Sequence, residues 1–380
     1  MPRRRIASAL AALATLAILI ATLRPSGSAL PSGWTFALAS GDEALAEAIQ
    51  NVLLFIPLGL ALALGTTRTL RCIAAGALLS LAVEFAQQWI PGRDPSLGDL
   101  VLNTVSTALG VGLVRTAPAW LLPPPRAAAW LSLASALLAT TVWLGTGWLL
   151  QPLLPGPNAA LLSTPELGGH FDLYTGRVLS VTGRLGTAEP LRITAIAGAR
   201  TRRLAPLLLV DDGPRRTLVG ADREDLVLRN YSRSRLLGLA KPDFRARGAL
   251  AGVAPGDTIT IAAWTDGKGP AFCLALDEKK WCGLGYTVGD GWRLIFYPEH
   301  FPPLALSILN ALWIAGWCLG LGWWGRRHVA TGVGLGLVAF ALLVGPGLVD
   351  LLATPIGEMA GAVGGVVLGN VARRRYRESL

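Results

Sequence analysis

The sequence predicts a polytopic α-helical membrane protein of about eight transmembrane helices, with an all-β sandwich inserted between the fifth and sixth. Three observations predict it. Hydrophobic side chains make up 52% of the 380 residues and charged ones only 15%, too apolar for an ordinary soluble chain. The apolar residues gather in runs at 6–23, 50–66, 72–90, 100–117, 130–150, 303–324, 329–349 and 352–371. Between the fifth and sixth runs the pattern changes to short alternating segments separated by turn residues.

Each run approaches the ~20 helical residues that cross a hydrocarbon core about 30 Å thick at 1.5 Å per residue. Membrane-spanning strands would show short alternating segments instead. Arginine orients the helices. Arg3, Arg4 and Arg5 precede the first run, and Arg68 and Arg71 lie between the second and third. Arg115 and Arg126 lie between the fourth and fifth, Arg326 and Arg327 between the sixth and seventh, and Arg373, Arg374, Arg375 and Arg377 follow the last. The alternate short loops hold only Arg24 and Arg93, against Asp42, Glu43, Glu47, Asp94, Asp99 and Asp350. The positive-inside rule therefore predicts a bacterial inner-membrane protein with both termini cytoplasmic and residues 151–302 outside. The first run is read as a retained signal anchor. A cleaved signal peptide is the other reading, but it would leave an odd number of spans without changing the charge pattern.

The net charge of +10 does not imply a nucleic-acid partner. Thirteen of the 34 basic residues are the cytoplasmic-loop arginines, and the inserted segment holds 19 basic against 15 acidic residues. Three blocks follow: a membrane domain at 1–150, a soluble domain at 151–302 and a second membrane domain at 303–380. Within the soluble block, Leu191–Ile196, the stretch around Leu226–Arg229 and Asp257–Ala262 alternate like half-buried strands. Asp211-Asp212-Gly213-Pro214, Asp266–Gly269 and Gly289-Asp290-Gly291 read as turns, and two packed antiparallel sheets bury such strands naturally. Cys273 and Cys282 flank the polar turn Asp277–Lys280 and are expected to bridge a hairpin in an oxidising compartment, the alternative being two unpaired strand thiols. Cys72 and Cys318 read as small core residues.

The residues that stand out chemically are polar ones among the helices. Glu84 falls about six residues inside one end of the third helix, with Gln87 a turn beyond it. Arg93 follows in the loop, Asp99 and Asn103 share a face of the fourth helix, and Asn51 begins the second, with Glu47 a turn before. Ionisable groups in a span are costly and usually face a bundle interior or a wet cavity. Two readings stand open: a ligand site at one membrane depth, or a buried charge network of Glu84, Arg93 and Asp99 locking three helices, with Gln87 and Asn103 as hydrogen-bond partners.

Asn51-Val-Leu-Leu-Phe-Ile-Pro-Leu-Gly59, Glu84 with Gln87, Arg93, Asp99-Leu-Val-Leu-Asn103 and Gly110 make the segment 51–113 resemble the VanZ-like membrane family, named for an accessory protein of glycopeptide resistance. Asp225–Arg229, Asp257–Ile261 and Trp264-Thr-Asp-Gly267 give the soluble block a likeness to concanavalin A/laminin-G sandwiches, which occur fused to some VanZ-like proteins. The resemblance implies a cell-envelope role. The first expectation is a binder of an envelope lipid, glycan, lipid-linked precursor or lipoglycopeptide, with Asn51, Gln87, Arg93, Asp99 and Asn103 as ligand residues and Arg93 as the anion fork. The second is a hydrolase or transferase of a lipid headgroup with Glu84 as general acid/base, and the third a transporter.

Other signals are thin. His170, His300 and His328 are scattered without ligand spacing, so no metal and no cofactor is expected. Asp211, Asp212 and Asp222 are conceivable calcium ligands without a spacing that demands one. Arg200, Arg202 and Arg203, and Arg229, Arg233 and Arg235, form basic clusters, read as solvated strand edges or as contacts for anionic glycans or headgroups. Gly332-Val-Gly-Leu-Gly336 lies inside a span and reads as packing, as do Trp313, Trp317, Trp323 and Trp324. Gly357, Gly361, Gly365 and Gly369 read as a helix-contact stripe. Asn310-Ala-Leu-Trp-Ile echoes Asn51-Val-Leu-Leu-Phe, and Asp350 followed by Gly361 echoes Asp99 followed by Gly110, the outline of a worn repeat without counterparts of Glu84 and Arg93.

Overall fold

A computed structural model of the chain describes residues 2–26, 30–31, 33–35, 43–168, 171–187, 189–240, 242–266, 270–298, 301–326 and 329–379. Asp42, His170, Gly267, His300, Arg327 and His328 lie outside the described residues, as does the Arg3 side chain. The chain divides into two compact units, residues 1–128 and 129–380.

The first unit holds α1 (Pro2–Thr22), α2 (Ala44–Gly65), α3 (Thr69–Gln87) and α4 (Leu97–Leu121). In hydrocarbon every backbone group must be satisfied within the chain, which makes an apolar run helical. Ile18, Phe55, Leu58 and Val83 pack α1, α2 and α3 into one core. The α2/α4 contact is closer, because glycine lets the backbones meet. A β-carbon on Gly59 would overlap the Thr107 carbonyl, and one on Gly110 the Ile56 carbonyl.

The second unit takes most of α5 (Pro125–Leu150), then ten strands, then α6 (Pro303–Trp324), α7 (Val329–Leu343), the short α8 (Gly345–Leu348) and α9 (Ile356–Glu378). Among the described residues six helices are long and apolar enough to span a membrane: α1 from Arg4, α2, α3, α4, α5 and α6. The seventh expected span stops at Leu343 after 15 residues, about 22 Å at 1.5 Å each, because Gly345-Pro346-Gly347 breaks it. The eighth is displaced: Pro355 caps α9, which runs on through Arg373–Arg377 and so carries charge at both ends. Gly361, Gly365 and Gly369 seat α9 on the carbonyls of Ala311, Ala315 and Leu319 in α6, whereas Gly357 faces open space.

The strands are β1 (Ala160–Ser163), β2 (Arg177–Thr182), β3 (Leu191–Ile196), β4 (Ala205–Asp212), β5 (Arg215–Asp222), β6 (Asp225–Asn230), β7 (Phe244–Ala246), β8 (Thr258–Thr265), β9 (Phe272–Leu276) and β10 (Lys279–Leu284). They form two five-stranded antiparallel sheets, β1-β4-β5-β6-β7 and β10-β9-β8-β3-β2. Period-two burial in β3, with Leu191, Ile193 and Ala195 inside, fixes which face turns to the core. Phe244 of one sheet stacks on Phe272 of the other at 5.0 Å. Gly213 supplies the left-handed turn of the β4–β5 hairpin at φ 63°. A disulfide joins Cys273 to Cys282 across the β9–β10 hairpin. Gly289-Asp290-Gly291, expected as a turn, lies instead within a 3₁₀ segment, Val288–Leu294, whose capping box pairs Thr287 with Asp290.

Candidate functional site

The polar residues of the first unit meet where α2 begins, α3 ends and α4 begins. Ser96 sets the geometry. Its hydroxyl caps α4, accepting from the N–H groups of Gly98 and Asp99 at 3.1 and 3.4 Å, and its own N–H donates to Glu84 Oε2 at 2.8 Å. The loop is thereby tied to α3, and Asp99 falls in the first turn of α4, where the helix dipole favours a carboxylate. Asn51 donates to Asp99 Oδ1 at 2.8 Å, joining α2 to α4. A turn deeper, Asn103 donates to Ser80 Oγ at 3.0 Å, while its Oδ1 is buried without a hydrogen-bond partner among the described residues.

Gln87 and Arg93 face elsewhere. Gln87 donates to the Thr22 carbonyl at 3.1 Å. Arg93 donates from Nε to the Arg24 carbonyl at 3.0 Å and from Nη2 to that of Ala21 at 2.9 Å. Both side chains satisfy carbonyls at the C-terminal end of α1, which the helix itself leaves open. Glu84 is 2% exposed, yet among the described residues no ion pair joins Glu84, Arg93 and Asp99. Six residues that the sequence grouped are thus adjacent but divided: a carboxylate–amide set (Asn51, Glu84, Asp99, Asn103) and an α1 clamp (Gln87, Arg93). Ser96 and Ser80, which hold the first set together, carry no signal of their own in the sequence.

The second unit contains a different polar arrangement that the sequence did not disclose. Asp243 receives Nε and Nη2 of Arg229 and Nη2 of Arg245. Arg245 also reaches Asp222 at 2.7 Å and Asp225 at 3.4 Å. Arg293 bridges the Asp243 carbonyl to Asp290 at 3.3 Å each. Burial alone would push the Asp243 carboxyl up, but Arg229, Arg245 and Arg293 outweigh it and hold it below the usual carboxylate range. The chain of contacts continues into the helices. Glu358 in the first turn of α9 accepts from Gly289 N–H at 2.9 Å, from the Thr287 hydroxyl and from Asn310 Nδ2 at 3.2 Å. Trp292 donates to Asn310 Oδ1 at 2.8 Å.

The remaining candidates have separate partners. Asp211 accepts from Arg216 and Asp212 from Gly156 N–H at one end of the β4–β5 hairpin, while Asp222 joins Arg245 at the other end of β5. Arg200 pairs with Glu224, and the N–H groups of Arg202 and Arg203 converge on Asp172, holding its carboxyl low. Arg229 is in the buried network, whereas Arg233 lies 4.8 Å over Trp148 and Arg235 4.2 Å over Tyr231. A cavity of about 360 Å³ is lined by residues of both sheets, among them Leu207, Leu226, Ile259 and Ile261, together with Tyr174 and Arg223. Among the described residues no cluster of metal-ligating side chains occurs.

Neither a curated protein nor a solved structure matches the chain. Residues 8–120 match the model of the VanZ/LLP1 family; this stretch holds α1–α4 with the carboxylate–amide set at their shared end, in a chain whose apolar helices make it a multi-pass membrane protein.

Proposed function

We propose that the VanZ-like domain binds an envelope lipid or a glycan- or glycopeptide-type ligand at the Asn51–Glu84–Asp99–Asn103 set. One observation carries the reading: Glu84 is buried in a membrane helix, and among the described residues it has a single backbone donor and no cation on it. A buried ionisable group in a span is costly, and one that no partner neutralises is a binding or reaction group by default. The Asn103 oxygen, buried without a partner among the described residues, supports the same conclusion. The inserted sheets, concanavalin A/laminin-G-like in this reading, recognise envelope polymer beside the helices and link the protein to glycopeptide resistance. The set faces the outer leaflet of the cytoplasmic membrane, with both termini inside.

Native mass spectrometry of the protein in nanodiscs made from envelope lipid extract tests the binding claim. A retained lipid or glycolipid mass that Asp99→Asn removes is the expected result, and an identical bound population in both forms sinks the reading. If Glu84 instead acts as a general acid/base, Glu84→Gln lowers headgroup turnover by roughly 10²- to 10⁴-fold with binding kept. Topology is checked independently with reporter fusions. Those at Arg68, Arg126, Arg327 and the C-terminus should report cytoplasm and one near Asp222 the exterior; a cytoplasmic signal at Asp222 reverses the orientation.

A further inference from the structure

The two helix pairs α2/α4 and α6/α9 share the same pair of glycine contacts. In the first, a β-carbon on Gly59 would strike the carbonyl of Thr107, and one on Gly110 the Ile56 carbonyl and the Leu60 nitrogen. In the second, Gly322 meets the carbonyl of Val366, and Gly369 meets the Leu319 carbonyl and the Trp323 nitrogen. Ile56 and Leu60 stand three before and one after Gly59; Leu319 and Trp323 stand three before and one after Gly322. Both helices of each pair therefore align through their glycines. The crossing recurs, in a register different from the one the sequence suggested. Glu358, eleven residues before Gly369, takes the place of Asp99, eleven before Gly110. Asn310, twelve before Gly322, takes the place of Glu47, twelve before Gly59, rather than that of Asn51. Asp350 is not part of the crossing; it sits in a left-handed turn at φ 47° and accepts from Gln151.

The second copy is already filled. The Thr287–Gly289 segment lies on Glu358, offering a hydroxyl to one carboxylate oxygen and a backbone N–H to the other at 2.9 Å. Gly289 is required for that approach, since a β-carbon there would overlap the Glu358 carboxylate. A peptide segment thus occupies, within the protein, the position next to the repeat's carboxylate. At the first copy Asp99 lies in Coulombic range of both Glu47 and Glu84, while Arg93, though in range of Glu47, spends its hydrogen bonds on α1 carbonyls. Among the described residues Glu84 accepts one backbone N–H, Asp99 one side-chain amide and the Asn103 oxygen nothing, and an anion beside these carboxylates would meet like charge.

Resting on the binding role proposed above, we infer that the α2–α4 site takes a neutral ligand presenting an amide N–H beside a hydroxyl, the chemistry that Thr287–Gly289 presents to Glu358, and not a phosphate or carboxylate. N-acetylated sugars and hydroxyl-bearing peptides both carry that pair. Saturation-transfer NMR on the full chain in nanodiscs separates the cases with three probes: N,N′-diacetylchitobiose, acetyl-seryl-glycinamide and pyrophosphate. Saturable transfer to the sugar identifies a glycan source and to the dipeptide a peptide source. Either must weaken at least about tenfold in Asp99→Asn, which replaces an acceptor oxygen by a donor. Pyrophosphate binding that Arg93→Ala abolishes, with neither neutral probe bound, overturns the ligand class while leaving the site a binding site. No transfer to any probe, together with an unchanged native lipid population in Asp99→Asn, removes both the inference and the reading it rests on. Circular dichroism and elution volume of each variant, unchanged from the parent, keep a folding failure from passing as lost binding.

Discussion

Two buried polar regions of this molecule solve the problem of charge away from water in opposite ways. In the β domain Asp243 lies among three arginines, and Arg245 in turn reaches Asp222 and Asp225. Cation meets anion throughout, as a structural lock requires. At the shared end of α2, α3 and α4 the carboxylates of Glu84 and Asp99 accept from a backbone N–H and from an amide, and among the described residues no cation pairs with them. The nearby guanidinium of Arg93 closes the end of α1 instead. Complementary charge marks the β-domain network as scaffold, and the uncompensated acceptors at α2–α4 are what the proposed ligand role rests on.

Neutralising Asp243 without changing its shape gives the largest expected effect. Asp243→Asn leaves Arg229 and Arg245 buried with too little negative charge, and removing one partner of such a pair typically costs about 3–5 kcal/mol. Thermal unfolding in detergent, followed through the β domain's circular dichroism, should show the loss. The pH dependence has a definite sign. The folded carboxyl of Asp243 is held below its unfolded value of about 3.9, so its contribution is full above that pH and is lost as pH falls through the folded value. The parent should lose thermal stability as pH falls below about 4, and Asp243→Asn should lack that increment. An unchanged melting temperature at neutral pH would mean that the arginines are solvated and the lock is not one.

These two regions also differ in how far the sequence discloses them. Polar residues inside apolar runs are conspicuous, because each violates the composition around it; Asn51, Glu84, Asp99 and Asn103 were legible for that reason. Asp222, Arg229, Asp243, Arg245 and Arg293 are ordinary charges in a charged domain, and only strand pairing across β5, β6 and β7 brings the first four together. The arginine cluster 229–235 misleads in the same way, since Arg229 lies in β6 whereas Arg233 and Arg235 belong to the 3₁₀ turn Arg233–Leu237 that follows it. Period-two alternation located β3, β6 and β8, whereas the 3₁₀ segment 288–294 was hidden by glycines that also signal turns. The bounds of the last two helices differ from those of the apolar runs because proline, not hydropathy, sets where they stop and start.

Intermediate effects are expected where covalent or steric contacts hold an element. Reducing or mutating the Cys273–Cys282 bridge frees a short hairpin loop, for which the chain-entropy model gives about 2–3 kcal/mol. Alkylation should therefore require prior reduction, and Cys273→Ser should lower the melting temperature of the β domain less than Asp243→Asn does. Ready labelling of both thiols in untreated protein would count against the bridge. In the helices, Gly110→Ala pushes a methyl into the Ile56 carbonyl, a clash of about 1–3 kcal/mol, whereas Gly112→Ala meets nothing within 4 Å. Equal stability of these two variants would show that α2 and α4 do not touch through glycine.

The smallest stability effect should come from Glu84→Gln, the same isosteric neutralisation as Asp243→Asn applied to the other region. Glutamine keeps an oxygen able to accept the Ser96 N–H, so the tie between α3 and the start of α4 survives. No guanidinium is stranded by the change, because Arg93 is held by the Arg24 and Ala21 carbonyls. Removing an uncompensated ionisable group from a membrane helix also removes its desolvation cost. The balance is a change below about 1 kcal/mol, of either sign, set against several kcal/mol for Asp243→Asn. Paired unfolding curves of the two variants measure it directly. A loss for Glu84→Gln as large as that for Asp243→Asn would mean that Glu84 is itself part of a lock, and the distinction between the two regions would fall. A small one, accompanied by altered retention of the envelope lipid, would leave recognition as the reason a buried acid stands at this position.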